Sequence, residues 1–111
     1  DPSAASLLDR IASLIQAHPE LSRIAIDGHT DGRGNPRANL ELSRRRAVSV
    51  MNALIERGVD ARRLEARGFG PTRPTADEST PQGRTKNRRV ELVVRRRSQA
   101  GSEDWVDGTI E

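Results

Sequence analysis

At 111 residues, only 33% of them hydrophobic, the chain is sized for one small domain with a modest, efficiently used core. It has no cysteine, which excludes disulfides and thiolate metal sites and leaves the redox compartment open, and no apolar run approaches the roughly 20 residues a membrane-spanning helix needs. Basic residues outnumber acidic ones 19 to 16, and all but Lys86 are arginine, suited to bidentate pairing with carboxylate or phosphate. Phe69 and Trp105 are the whole aromatic complement, too thin for a stacking platform on single-stranded nucleic acid. No secretory leader is visible, and the start at Asp1 reads as mature or trimmed sequence.

Residues 3–18 are expected to form a helix with Leu7, Leu8, Ile11, Leu14 and Ile15 on one stripe, capped by Asp1 or Ser3 and stopped by Pro19. Arg23 to Gly28 alternates as a strand does. His29 to Arg37 holds two glycines and a proline and reads as a loop. A second helix is expected over 39–57, closed by Gly58 in a left-handed cap, with a stripe of Leu40, Ala47, Val50, Met51 and Leu54 widened by Val48 and Ile55. Leu64 to Phe69 alternates weakly as a strand, residues 70–87 form a long polar excursion, and Arg89 to Arg95 is the clearest strand, with Val90, Leu92 and Val94 on one face. Helices alternating with strands imply an α/β, or α+β, two-layer sandwich. Residues 1–97 are taken as the domain and 98–111 as a tail.

The chemistry concentrates at Gly28-His29-Thr30-Asp31, where a strand runs into a glycine-rich loop. Asn39, Ser43 and Arg46 share one flank of the second helix at spacings of four and three. Helical side chains lean toward the N-terminus, so Arg46 is expected partly buried and facing Asp31 across a small cleft. Two readings stand: a structural salt bridge, or a pair that grips a zwitterionic amino acid end, Asp31 taking the ammonium and Arg46 the carboxylate. Free N–H groups at the start of the second helix are expected to add anion affinity. In Gly83-Arg84-Thr85-Lys86-Asn87-Arg88-Arg89-Val90, Asn87 can fix a turn. Arg88 and Arg89 point to opposite faces, so only one of them serves the cleft, unless the run is simply solvated.

Four stretches in order, I24-A-I-D-G-H-T-D31, N39-L-E-L-S-R-R-R-A47-V, R67-G-F-G70 and G83-R-T-K-N-R-R-V-E-L92, resemble the OmpA-like domain family across residues 3 to 95. That family includes the C-terminal domains of outer-membrane porin-like proteins, the peptidoglycan-associated lipoproteins and flagellar stator subunits. The resemblance implies a βαβαββ-type fold whose first strand is missing from this chain. It implies non-covalent, non-catalytic binding of the meso-diaminopimelate in the peptidoglycan stem peptide, anchoring an envelope protein or the outer membrane to the wall. It carries the ammonium-binding aspartate onto Asp31, the carboxylate-binding arginine onto Arg46, the cleft asparagine onto Asn39 and a further arginine onto Arg88, with Thr30, Leu42 and Asn87 at supporting positions. Neither cofactor nor metal is implied. The implied place is the periplasm, with any membrane link lying in other parts of a parent protein. A homo-oligomer stays open.

Gln99 to Glu111 lies beyond the family's usual end. If a sheet position is open, a partner strand or this tail can fill it. The segment from Trp105 to Ile110 either packs on the domain or a neighbouring copy, or is a linker loosened by Gly101, Ser102 and Gly108. Three other functions compete with peptidoglycan binding. Asp27, His29 and Asp31 alternate and could suggest a metal or acid/base site, but there is no nearby second histidine and no nucleophile signature; His29 is expected to pack or hydrogen-bond locally. The clusters Arg44-Arg45-Arg46 and Arg95-Arg96-Arg97 raise nucleic-acid binding, against which the near balance of charge argues. The third is a protein-interaction module of the same fold, disfavoured by the intact Asp31, Asn39 and Arg46.

Overall fold

The computed structural model describes residues 2–97 and 105–110, with side chains over 3–95. The elements are α1 (Pro2–Ala17), β1 (Arg23–His29), α2 (Pro36–Glu56), a 3-10 turn (Ala61–Arg63), β2 (Leu64–Gly70), α3 (Pro81–Asn87), β3 (Arg89–Arg97) and β4 (Trp105–Ile110). One four-stranded sheet runs in the order β2-β1-β3-β4. β1 and β2 are parallel, joined by α2 as the crossover that parallel strands require, while β3 is antiparallel to β1 and β4 antiparallel to β3.

Alternation along β1 divides its residues between two faces. Ile24 and Ile26 enter a core with Ala12 and Ile15 of α1, Ala47 and Leu54 of α2, Val59 and Leu92. On α1 the buried stripe is Leu8, Ile11, Ala12 and Ile15, one step round from the expected one; Leu7 and Leu14 are exposed. Ser3 lies within α1, and Asp1, the other residue expected to cap it, lies outside the described residues. On α2, Ala47, Val50, Met51 and Leu54 pack as expected, but Leu40 is exposed. The reason is backbone proximity at the start of α2: a Cβ added to Gly70 would lie 3.0 Å from the Leu40 Cα, which leaves no room for the leucine side chain beneath the helix. A Cβ on Gly28 would meet the Ser43 carbonyl oxygen at 2.0 Å, and one on Gly68 the Arg44 nitrogen at 2.6 Å. Glycines in both strands thus admit the helix to the sheet at near backbone contact.

Ser43, fully buried, locks this junction. Its Oγ donates to the Leu40 carbonyl at 2.7 Å and accepts from the Gly70 N–H at 2.9 Å. Ser43→Ala would strand a buried N–H, and the expected loss is about 1–3 kcal/mol, read as a lower urea midpoint with unchanged slope.

Gly58, at φ +98°, closes α2 in the left-handed conformation expected of it. The polar excursion after β2 contains α3, which hydrophobic periodicity does not reveal. Its start is written in Thr80-Pro81: the Thr80 hydroxyl accepts from the Gly83 N–H at 2.9 Å, and Pro81 fills the first helical position. The tail segment joins the sheet, Trp105 opposite Arg97 and Ile110 opposite Leu92. Of the two occupants expected for an open sheet position, the tail supplies this one; the Trp105 side chain lies outside the described side chains.

Candidate functional site

The sheet topology assembles the site before any side chain is considered. Parallel strands β1 and β2 finish at the same end, and antiparallel β3 starts there, with His29 opposite Arg89. The residues just after His29 and just before Arg89 therefore become neighbours, at the carboxyl ends of parallel strands where α/β sheets commonly place ligands. Asp31 and Arg88 occupy those places. Arg88 Nη1 donates to Asp31 Oδ2 at 2.6 Å, and Arg88 Nη2 to the Thr85 hydroxyl at 2.9 Å. Asp31 Oδ1 accepts from the Arg33 N–H at 3.0 Å. The hydrogen bond from Arg88, followed by that from the Arg33 N–H, holds the Asp31 carboxyl below its usual 3.8, so it is ionised across the neutral range. The Asp31 side chain is 12% exposed and that of Arg88 43%.

Thr30 is buried and fixes the bend: its N–H donates to the Gly70 carbonyl at 2.9 Å and its hydroxyl to the Asp31 carbonyl at 2.9 Å. Asn39 Nδ2 donates to the Arg33 carbonyl at 2.6 Å, tying α2 to the loop that carries Asp31. Leu42 is exposed beside it on α2. Asn87 is fully buried, so it supports the site from inside and offers nothing to a ligand directly. Its Oδ1 accepts from the Thr75 and Ala76 N–H groups at 2.8 and 3.0 Å, and its Nδ2 donates to the Ala76 carbonyl and to Glu78 Oε2.

Three expectations are corrected here. Asp31 is paired with Arg88, not with Arg46. Arg46 is exposed, and its side chain makes no hydrogen bond or ion pair among the described residues. Ser43 points straight at the sheet, and three residues further round a helix lies about 60° off that direction, which carries Arg46 outside the contact. Within the first turn of α2 itself, Pro36 to Asn39, no N–H is left spare. Pro36 has none, the Asn35 side chain caps those of Arg37 and Ala38 at 2.9 and 3.1 Å, and that of Asn39 donates to the Asn35 carbonyl at 3.0 Å.

Arg88 and Arg89 do part to opposite faces. Arg89 Nε donates to Glu91 at 2.5 Å and Arg89 Nη2 to the Arg73 carbonyl at 3.0 Å. On that same face Asp27 receives both arms of Arg67 at 2.6 and 2.7 Å. His29 is buried and stacked on Phe69, ring centres 5.4 Å apart, with neither ring nitrogen hydrogen-bonded among the described residues. Burial, then the nearby Arg89, push the imidazole below its usual 6.5, so it packs as a neutral ring. Among the described residues, no three histidine, aspartate or glutamate side chains come together as a metal site.

A cleft of about 210 Å³ lies at the opposite end of the sheet, where Arg23, Arg62, Arg63 and Arg95 surround Ala25 and Glu65. Of these arginines, the sequence singles out only Arg95 as a candidate binding residue, in the cluster Arg95-Arg96-Arg97. It does not single out Glu78, which accepts from the Gly32 N–H at 2.6 Å.

The family model for the OmpA family matches residues 1–88. The chain is 40% identical over 93 residues to the probable lipoprotein YiaD of Escherichia coli, covering 84% of this chain and 42% of YiaD. It is 41% identical over 93 residues to the peptidoglycan-binding protein ArfA of Mycobacterium bovis, covering 84% of this chain and 28% of ArfA. It thus spans less than half of either relative. Among solved structures it is similar to the peptidoglycan-associated lipoprotein of Burkholderia pseudomallei, with a TM-score of 0.78 and 34% identity over 85% of this chain and 79% of the other. The C-terminal domain of MotB from Helicobacter pylori gives a TM-score of 0.77 at 34% identity, over 83% of this chain and 71% of that one. With most of its length, residues 1–88, matched by the family model, the chain is a member of the OmpA family.

Proposed function

We propose that this domain binds peptidoglycan non-covalently through the meso-diaminopimelate of the stem peptide and, in the periplasm, ties the envelope protein that carries it, or the outer membrane, to the cell wall. The observation that carries the reading is the Asp31 carboxylate at the strand end, bonded to Arg88 and with 12% of its side chain exposed, together with Arg46, whose exposed side chain has no partner among the described residues, on the helix that packs against that strand. A diaminopimelate side chain ends in an amino acid centre. Its ammonium donates to Asp31, and its carboxylate takes the forked donors of Arg46. Asn39 and Leu42 border the approach along α2, Thr30 fixes the bend that presents Asp31, and Asn87 sets Arg88 from the interior. ArfA and the Burkholderia lipoprotein, whose names carry peptidoglycan binding and association, support the polymer as partner. The reading is non-catalytic: binding uses charge pairing alone and needs neither cofactor nor metal. Residues 1–97 form the binding domain on this reading, and β4 in the following tail extends its sheet.

Calorimetry with two soluble stem peptides tests the ligand. A lysine peptide lacks the second carboxylate, so Arg46 gains no partner from it. Its affinity is expected to be lower by on the order of 100-fold than that of the diaminopimelate peptide. Equal affinities would overturn the diaminopimelate assignment.

A further inference from the structure

One side chain touches both halves of the strand-end site without belonging to either. Glu78 lies in the loop between β2 and α3. Its Oε1 accepts from the N–H of Gly32, the residue after Asp31, at 2.6 Å. Its Oε2 accepts from Nδ2 of Asn87, the residue before Arg88. Its backbone carbonyl is held by Arg84 Nη1 of α3 at 2.9 Å, so the side chain reaches across from a tethered root in the loop. An ionised carboxylate is an acceptor at both oxygens, which suits it to join two N–H donors from separate segments. We propose that Glu78 is a positioning residue for ligand binding, a carboxylate bridge that sets the separation between the Asp31 loop and Arg88.

The proposal rests on the reading of Asp31 and Arg88 as ligand-binding groups, but the geometry it describes does not depend on the ligand. Neighbouring Gly32 supplies a second handle on the same contact. A Cβ there would lie 2.9 Å from Glu78 Oε1, so Gly32→Ala presses on the bridge from the other side. Glu78→Gln keeps the size of the side chain but replaces one acceptor oxygen by an NH2 group. Whichever way the amide turns, one of the two donors then faces another donor.

The test uses the whole chain and two readouts: affinity for a soluble diaminopimelate stem peptide, and titration of the Asp31 carboxyl followed by NMR. In Glu78→Gln the affinity is expected to fall roughly tenfold, the effect of losing one well-placed hydrogen bond's worth of alignment. The Asp31 titration is expected to rise toward the usual carboxylate value as Arg88 moves off. Gly32→Ala should shift both readouts the same way. It should add little in a Glu78→Ala background, because neighbours that act through one contact are not additive. If Glu78→Gln does not fold, Gly32→Ala alone decides the matter by the same two readouts. An Asp31 titration unchanged in Gly32→Ala, which keeps the Glu78 charge, overturns the proposal, whatever the affinity does. If the wild-type chain binds no stem peptide yet Glu78→Gln still raises the Asp31 titration, the bridge stands and the ligand assignment fails.

Discussion

Asp31→Ala and Arg46→Ala are each expected to abolish co-sedimentation with isolated diaminopimelate-type peptidoglycan while the domain stays folded. Removing one partner of a charge-assisted contact costs on the order of 2–5 kcal/mol of binding, enough to turn capture into background. The two substitutions differ in what they do to the free protein. Arg46 is exposed and unbonded among the described residues, so its loss disturbs no internal contact and reports on the ligand alone. Loss of Asp31 frees Arg88, which at 43% exposure can turn to water. Acid should mimic Asp31→Ala only late. The folded-state value of Asp31 is depressed, so the stabilisation it gives is complete above the usual 3.8 and is lost as pH falls through its lower folded value. Undiminished capture by a folded Arg46→Ala protein would remove Arg46 from the site. Unfolding of Asp31→Ala would give Asp31 and Arg88 a structural role instead.

Gly28→Ala is expected to do the reverse, removing the fold and with it everything else. The added methyl would sit 2.0 Å from the Ser43 carbonyl oxygen, a backbone atom near the start of a helix that is itself locked to Gly70. Relief requires the helix to lift from the sheet, opening the core at Ile26 and Ala47. Overpacking of this kind costs about 3 kcal/mol or more, which in a domain this small lowers the melting temperature by more than about 10 °C. A variant melting within about 2 °C of wild type would show that α2 does not bear on β1 as closely as described.

Periodicity made the elements legible where one face of an element meets the core, as on β1, β3 and the middle of α2. It misled where backbone meets backbone. Leu40 continues the apolar stripe of α2 in sequence but is exposed, because glycine brings the strand directly under the helix. α3 is invisible to periodicity because it is two turns long with no apolar stripe, though its Thr-Pro start is explicit. Asp31 could be singled out from its strand-to-loop position, but its partner could not. Arg88 is 57 residues away, and only the antiparallel pairing of His29 with Arg89 makes them adjacent. The helical argument for Arg46 erred on depth, since Ser43 takes the buried position. Glu78 had no signal of its own, being one polar residue in a polar loop whose meaning comes from two N–H donors on other segments.

The central claim is that the strand-end site, and not another charged surface, takes the amino acid end of a diaminopimelate stem peptide. Titrating that peptide into isotopically labelled protein and following amide and side-chain shifts by NMR tests it most directly. Saturable changes are expected to centre on Asp31, Asn39, Leu42, Arg46 and Arg88, with the arginines at the far end of the sheet, Arg23, Arg62 and Arg95, unmoved. Saturable changes at those distant arginines with none at Asp31, or no saturable change at all, would contradict it.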